Sequence, residues 1–440
     1  MKHPAPERSL AELYRDDPDR ADALVWGRRG VLKGASLAAM GAAVGGAIPF
    51  GRGAPAGFVP AALAQPAPGS GTAPATLRME GKAPLVVLGD RPLVAETPEW
   101  MLDDDVTPAD KMFIRNNGHV PEPVAGDPRA WRLRLDGAVG QPLDLALGEI
   151  EGRFPPVTMQ LQMECGGNGR VAFVPEARGN PWGNGAISNG AWTGVRLRDL
   201  IAAAAPTPEA RFTGHFGADP HLSGATDRDA LSRGMPLAKA MHPNTLVALR
   251  LNGQPIPHIH GAPVRLIVPG WPGSLSQKWL TRVTLLAQPH RGQGMGGTSY
   301  RVPVRPIVPG SADDGASFAD MESMPVRSVL TNIAHGTRLP AGTRRLDIRG
   351  HAWAGDRTVR AVHASADFGQ TWSAMDVASP ANPHAWQRWT GSVELPSDGY
   401  FEVWYRATDD AGRMQPHQPA NWNPQGYGAN PIGRVAVLVG

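Results

Sequence analysis

Apolar and polar positions alternate in short runs along most of this chain. Trp131-Arg132-Leu133-Arg134-Leu135-Asp136-Gly137 is one such run, and it predicts a strand that ends in a turn. Residues 157–163 predict a second strand, which delivers Cys165 at its C-terminal end. Residues 264–268, closed by Pro269-Gly270, and residues 279–286 predict two more. Residues 197–205 carry Leu and Ala at helical spacing and predict a short helix. Towards the C-terminus the pattern becomes regular. Runs at 345–350, 359–366, 386–393 and 400–407 each finish near a turn signal, among them Gly350, Asp367-Phe368-Gly369 and Ser397-Asp398-Gly399. Such spacing predicts a β-sandwich of immunoglobulin type, here without a cysteine pair. The expected class is α+β, mainly β, with no internal repeat.

Composition supports two folded domains. The chain has 440 residues, 42% hydrophobic and 19% charged, enough for sizeable cores. With 53 Gly and 44 Pro, turns and short strands outweigh long helices. The net charge of +3 comes from dispersed basic residues, which argues against nucleic acid as a partner.

Residues 1–64 are expected to be a signal peptide. Gly27-Arg28-Arg29-Gly30-Val31-Leu32-Lys33 matches a twin-arginine export motif, a small-residue run follows, and Ala62-Leu63-Ala64 offers a cleavage site. That route implies recognition by the twin-arginine translocase, export as a folded protein, and a periplasmic location. It also favours a cofactor inserted before export. Residues 65–83 read as a flexible leader, 84–300 as the first domain, 301–322 as a proline-containing linker and 323–440 as the sandwich.

The only cysteine, Cys165, sits in Met163-Glu164-Cys165-Gly166-Gly167-Asn168-Gly169-Arg170. One cysteine excludes an intrachain disulfide and any CxxC metal or haem site. A lone Cys is most often a small buried hydrophobe. Here the glycines leave the backbone open to something large, and Arg170 offers a cationic fork to an oxyanion. A thiolate in that setting suits a soft or high-valent metal. Four further clusters carry candidate chemistry. Phe113-Ile114-Arg115-Asn116-Asn117 is a loop of donors, and Ser276-Gln277-Lys278 places a hydroxyl, an amide and an ammonium in succession. His258-Ile259-His260 is expected on a strand, where the pair could chelate a metal, but His260 and Arg265 make better sense as phosphate donors. Tyr300-Arg301 follows a glycine-rich stretch.

Together, in this order, these blocks resemble the sulfite oxidase family of molybdenum enzymes, over about residues 85–435, and look most similar to its bacterial periplasmic sulfite dehydrogenases. Glu164 to Arg170 resembles the family's C-A-G-N-R-R block, and Arg115-Asn116-Asn117 its R-N-H loop. Asn252-Gly253, His260-Gly261, Pro263, Arg265 and Val268-Pro269-Gly270 resemble its N-G…H-G-x-P-x-R-x-x-V-P-G block, and Lys278-Trp279-Leu280 its V-K-W-L.

The resemblance implies a sulfite-oxidase-type catalytic domain followed by an immunoglobulin-like dimerisation domain, hence a homodimer. It implies a molybdenum–molybdopterin cofactor with Cys165 as the metal ligand. Phe113, Ile114, Arg115, Asn116, Asn117, Asp219, His260, Arg265, Ser276, Gln277 and Lys278 are its expected contacts. Arg115, Cys165, Arg170 and Tyr300 are the expected catalytic set, oxidising sulfite to sulfate. No haem motif or flavin fingerprint is seen, so electrons are expected to pass singly to a separate c-type cytochrome. Two departures reduce the expected positive charge of the anion site: Gly169 replaces one of the block's two arginines, and Asn423-Pro424-Gln425-Gly426 stands where N-L-R-G is frequent. The competing expectations are a sulfane-sulfur dehydrogenase subunit of a thiosulfate-oxidising complex, a reductase of oxidised methionine, and an immunoglobulin-like periplasmic binding protein that has lost its cofactor.

Overall fold

The computed structural model describes residues 75–310, 317–420 and 422–440. The export signal and the first part of the expected leader therefore lie outside the described residues.

The first sheets form around the predicted strands. Arg132–Gly137 buries Leu133 and Leu135 and exposes Arg132 and Arg134, as its alternation requires. It pairs in parallel with Leu280–Leu286, at the centre of a five-stranded sheet completed by Leu143–Ala146, Phe212–Gly217 and Ser232–Pro236. A second five-stranded sheet carries Val157–Glu164 against Ile187–Arg196, then Leu246–Leu251 with Gln254–Pro255 and Arg265–Ile267. The helix Leu197–Ala203 buries Leu197, Leu200 and Ile201 in the core between them. A small third sheet, Val86–Asp90, Leu93–Glu96 and Ile114–Arg115, presents the Arg-Asn-Asn loop.

The C-terminal part is the expected sandwich, with more strands than the pattern showed. Eight strands run in the order Arg327–Leu330, Arg345–Trp353, Gln387–Glu394, Ser373–Val377, Val359–Ser365, Gly399–Asp409, Gly433–Val439 and Thr337–Leu339. Trp389, Val403, Tyr405 and Val437 fill its interior.

Three expectations change. Residues 75–83, read as flexible leader, are tied to the first domain: Leu77 N–H donates to the Leu85 carbonyl and Ala83 N–H to that of Asp110. The linker is partly ordered, because Arg301–Pro303 pairs with Phe318–Asp320. His258–His260 forms a 3-10 turn, not a strand, because Pro257 opens it and Gly261 closes it at φ +105°.

Candidate active site

Chain ends and turns from several elements meet in one cleft. It is lined by Phe113, Arg115, Asn116 and Asn117 after the small sheet, and by Met163 and Cys165 at the end of Val157–Glu164. Asp219, Leu231, His260, Arg265, Ser276, Gln277, Lys278 and Tyr300 complete it, with Gly273, Ser274 and Trp279. Every sequence-predicted site residue is therefore gathered here except two. Ile114 is fully buried behind the loop, packed with Leu85 and Ala95, because its strand turns it away from Arg115. Arg170 lies off the cleft. Its Nε donates to the Gln425 carbonyl at 2.8 Å and its Nη1 to the Asn180 carbonyl at 2.7 Å.

The cleft is rich in cations that lack an anion. Lys278 Nζ donates to Asn116 Oδ1 at 2.6 Å and to the Ile259 carbonyl at 2.8 Å. Arg265 donates to the carbonyls of His260 and Ser276, both at 2.8 Å. Among the described residues neither pairs with a carboxylate at ion-pair distance. Burial pushes Arg265 down to about 9, and pushes Lys278 well below the ordinary lysine range, helped by Arg265. His260 is held well below its usual value by burial, then by Lys82, Lys278 and Arg265. Asp219, the carboxylate among the lining residues, is raised to about 6 by burial. Arg115 Nη1, Asn116 Nδ2 and Arg265 Nε are buried donors without a partner. Unpaired buried donors and cations are costly, and an anion with several acceptor oxygens would relieve both at once.

Lys82 completes this donor set, and sequence reading missed it by placing it in the leader. Its Nζ donates to the carbonyls of Ala109 and Met112, each at 2.7 Å, and lies 3.0 Å from His260 Nε2. Below about pH 7, where Lys82 carries its proton, the ammonium donates to Nε2. No motif marks a lone lysine before an apolar run, and only tertiary packing reveals it.

The cysteine loop is held from beneath by the sandwich. Gly169 at φ +80° and the bond from Asn168 N–H to the Cys165 carbonyl close the turn. Arg327, 2% exposed, donates to the Asn168 carbonyl at 2.6 Å and to Asn184 Oδ1 at 2.6 Å. Its Nε stands 3.4 Å from Glu164 Oε1, the residue before the cysteine, and Trp353 donates to Glu164 Oε2 at 2.7 Å. A Cβ on Gly169 would meet Arg327 Nη1 at 2.6 Å, so the turn and the arginine need each other.

A buried thiol beside a phosphate-sized set of unpaired donors fits the molybdenum–molybdopterin group, with Cys165 for the metal and Arg265, Lys278, His260, Ser276 and the Asn loop for the phosphate and pterin. The chain is a molybdopterin-binding oxidoreductase. Residues 117–293 match the family model of the oxidoreductase molybdopterin binding domain, and residues 319–440 that of the Mo-co oxidoreductase dimerisation domain. The chain is 33% identical to the sulfite oxidase of Gallus gallus over 356 residues, covering 78% of this chain and 75% of the relative. It is 34% identical to the mitochondrial sulfite oxidase of Homo sapiens over 371 residues, covering 81% of this chain and 66% of the relative. The crystal structure of the sulfane dehydrogenase SoxCD from Paracoccus pantotrophus superposes with a TM-score of 0.63 at 25% identity, over 82% of this chain and 86% of that one. This chain belongs to the sulfite oxidase family.

Proposed function

We propose that the protein is a periplasmic sulfite dehydrogenase, which oxidises sulfite to sulfate and passes the electrons one at a time to a separate c-type cytochrome. The observation that carries the reading is the set of unpartnered buried donors, Arg115 Nη1, Asn116 Nδ2 and Arg265 Nε, around a cleft that also holds Cys165 and Tyr300. When bound, the molybdenum cofactor supplies the two-electron redox chemistry, with water as the oxygen source: sulfite and water give sulfate, two protons and two electrons. Lys278, Arg265 and His260 would hold the phosphate, and Asn116 and Gln277 would hold polar atoms of the pterin. Cys165 would anchor the metal. Arg115 draws in the small dianion, and the Tyr300 hydroxyl, 3.5 Å from Asn117 Oδ1, donates to its oxygens. The dimerisation-domain match supports a homodimer, and the twin-arginine motif supports export of the loaded protein.

A second reading rests on the SoxCD likeness: a sulfane-sulfur dehydrogenase working with a partner subunit. The unpaired donors argue against a binding protein without a cofactor. The deciding experiment is sulfite-dependent reduction of cytochrome c by the molybdenum-loaded, exported protein beside Cys165→Ser. Turnover lost in that variant supports sulfite oxidation. Bound molybdenum without sulfite turnover favours the sulfane substrate, and folded protein without molybdenum sinks both.

A further inference from the structure

Tyr300 ends a glycine-rich segment, Gly292 to Ser299, whose local bonds are backbone turns (Met295 N–H to the Gly292 carbonyl, Ser299 N–H to that of Gly296), while Met321 N–H donates to the Tyr300 carbonyl; none of these holds the ring. Its own φ of +49° is a backbone conformation that a residue with a Cβ seldom adopts. Something outside the segment must hold it, and Arg233 does so at two points. From the strand Ser232–Pro236 its guanidinium lies 4.5 Å from the centre of the Tyr300 ring. Its Nη1 donates to the Gly294 carbonyl at 2.8 Å and to Met295 Sδ at 2.7 Å, both in the same segment. Its neighbour Ser232 continues the tie, donating N–H to the Gln293 carbonyl and accepting from Gln293 N–H at 3.1 Å.

Arg233 is 2% exposed, and among the described residues no carboxylate lies at ion-pair distance from it. A dry guanidinium is costly, and here it is offset by the π face, the carbonyl and the thioether of the Tyr300 segment, so these contacts hold one another in place. Tyr427 of the sandwich stacks on Tyr300 with ring centres 5.0 Å apart and planes 17° apart. Arg170, absent from the cleft, lies 5.5 Å from the centre of the Tyr427 ring. The contacts run Arg233, Tyr300, Tyr427, Arg170, and join the strand behind the cleft to the cysteine loop.

We propose that Arg233 is a positioning residue for Tyr300, clamping both its ring and the segment that carries it so that the hydroxyl faces the oxyanion substrate. This rests on the substrate class proposed above. Arg233 is not among the residues that line the cleft.

The test uses the loaded protein with Arg233→Met and Arg233→Lys, each alone and combined with Tyr300→Phe. For Arg233→Met, the KM for sulfite and the calorimetric Kd for sulfate are expected to rise roughly tenfold, with kcat changed far less. In the Tyr300→Phe background the same substitution is expected to change neither, because the hydroxyl it positions is gone. Arg233→Lys keeps the charge but cannot span the ring and Gly294 together, so it is expected to follow Arg233→Met. Trypsin cleavage after the exposed Arg291 provides a readout without substrate, and is expected to quicken in both Arg233 variants. If the wild-type protein fails to turn over sulfite while cleavage still quickens, the substrate reading fails and the clamp stands. Equal losses in the Tyr300 and Tyr300→Phe backgrounds would overturn the proposal. So would unchanged cleavage, or wild-type affinity in Arg233→Lys when Arg233→Met does not load.

Discussion

Lys82 Nζ and His260 Nε2 lie 3.0 Å apart, which sets a residue near the start of the described chain against the proposed phosphate-binding set. The contact fixes where the His260 imidazole sits at the edge of the cleft. Lys82→Met is therefore expected to lower the molybdenum and pterin content of purified protein, with Lys82→Arg retaining more than Lys82→Met. Metal analysis and pterin fluorescence of the three proteins would decide it, and full loading of Lys82→Met would refute the role.

The same pair gives a pH signature in protein prepared without cofactor. Burial lowers Lys82 from 10.5 to about 7, so the folded state holds this proton more weakly than the unfolded chain. An amine shifted this way makes folding more favourable as pH rises from about 7 towards 10.5, and leaves it flat below that window. The stability of the wild-type apoprotein relative to Lys82→Met is expected to climb across the window in urea titrations. A bound phosphate favours the charged form, so loading is expected to flatten the climb.

Arg115 and Arg170 separate in the structure although the sequence pairs them. Arg115→Met removes an unpartnered donor lining the cleft, and is expected to raise the KM for sulfite by about tenfold or more. Arg170→Met leaves the Gln425 carbonyl without its donor and the Asn180 carbonyl with Trp182 N–H alone, and is expected to cost about 1–3 kcal/mol of stability with little change in KM. Steady-state kinetics beside denaturant unfolding distinguish the two. A large KM effect for Arg170→Met would return it to the substrate site.

Removing Arg327 strands a carboxylate. Glu164 is 3% exposed, and burial already raises it against the pull of Arg327. Arg327→Met is expected to destabilise the protein by about 3–5 kcal/mol and to lower metal content through the cysteine turn. Adding Glu164→Gln is expected to restore part of that loss, since the unpaired charge is removed. A double variant no more stable than the single one would argue against the pair.

Much of the site was legible because its chemistry is carried by local motifs. The thiol followed by glycines, the Arg-Asn-Asn loop, the His-Gly…Arg block and Ser-Gln-Lys are each readable as polar groups in order. What misled was local too. Arg170 follows the cysteine in a block suited to anions, yet a turn with Gly169 at φ +80° directs its side chain to backbone carbonyls. Ile114 alternates with Arg115 on a strand, so one faces the core when the other faces the cleft. The His-x-His pair has strand spacing, but the residues bounding it make a 3-10 turn.

The sequence by itself determined the strand-rich class, the sandwich and the identity of nearly every donor in the cleft, because periodicity and motif order are properties of neighbours along the chain. Only the tertiary structure decided that Lys82 stands behind His260, that Arg327 of the sandwich braces the cysteine turn, and that Arg233 clamps Tyr300. Those contacts join residues 67 to 178 positions apart. Nothing in either segment alone announces its partner, since burial and the need to satisfy a buried charge arise only when segments distant in sequence pack together.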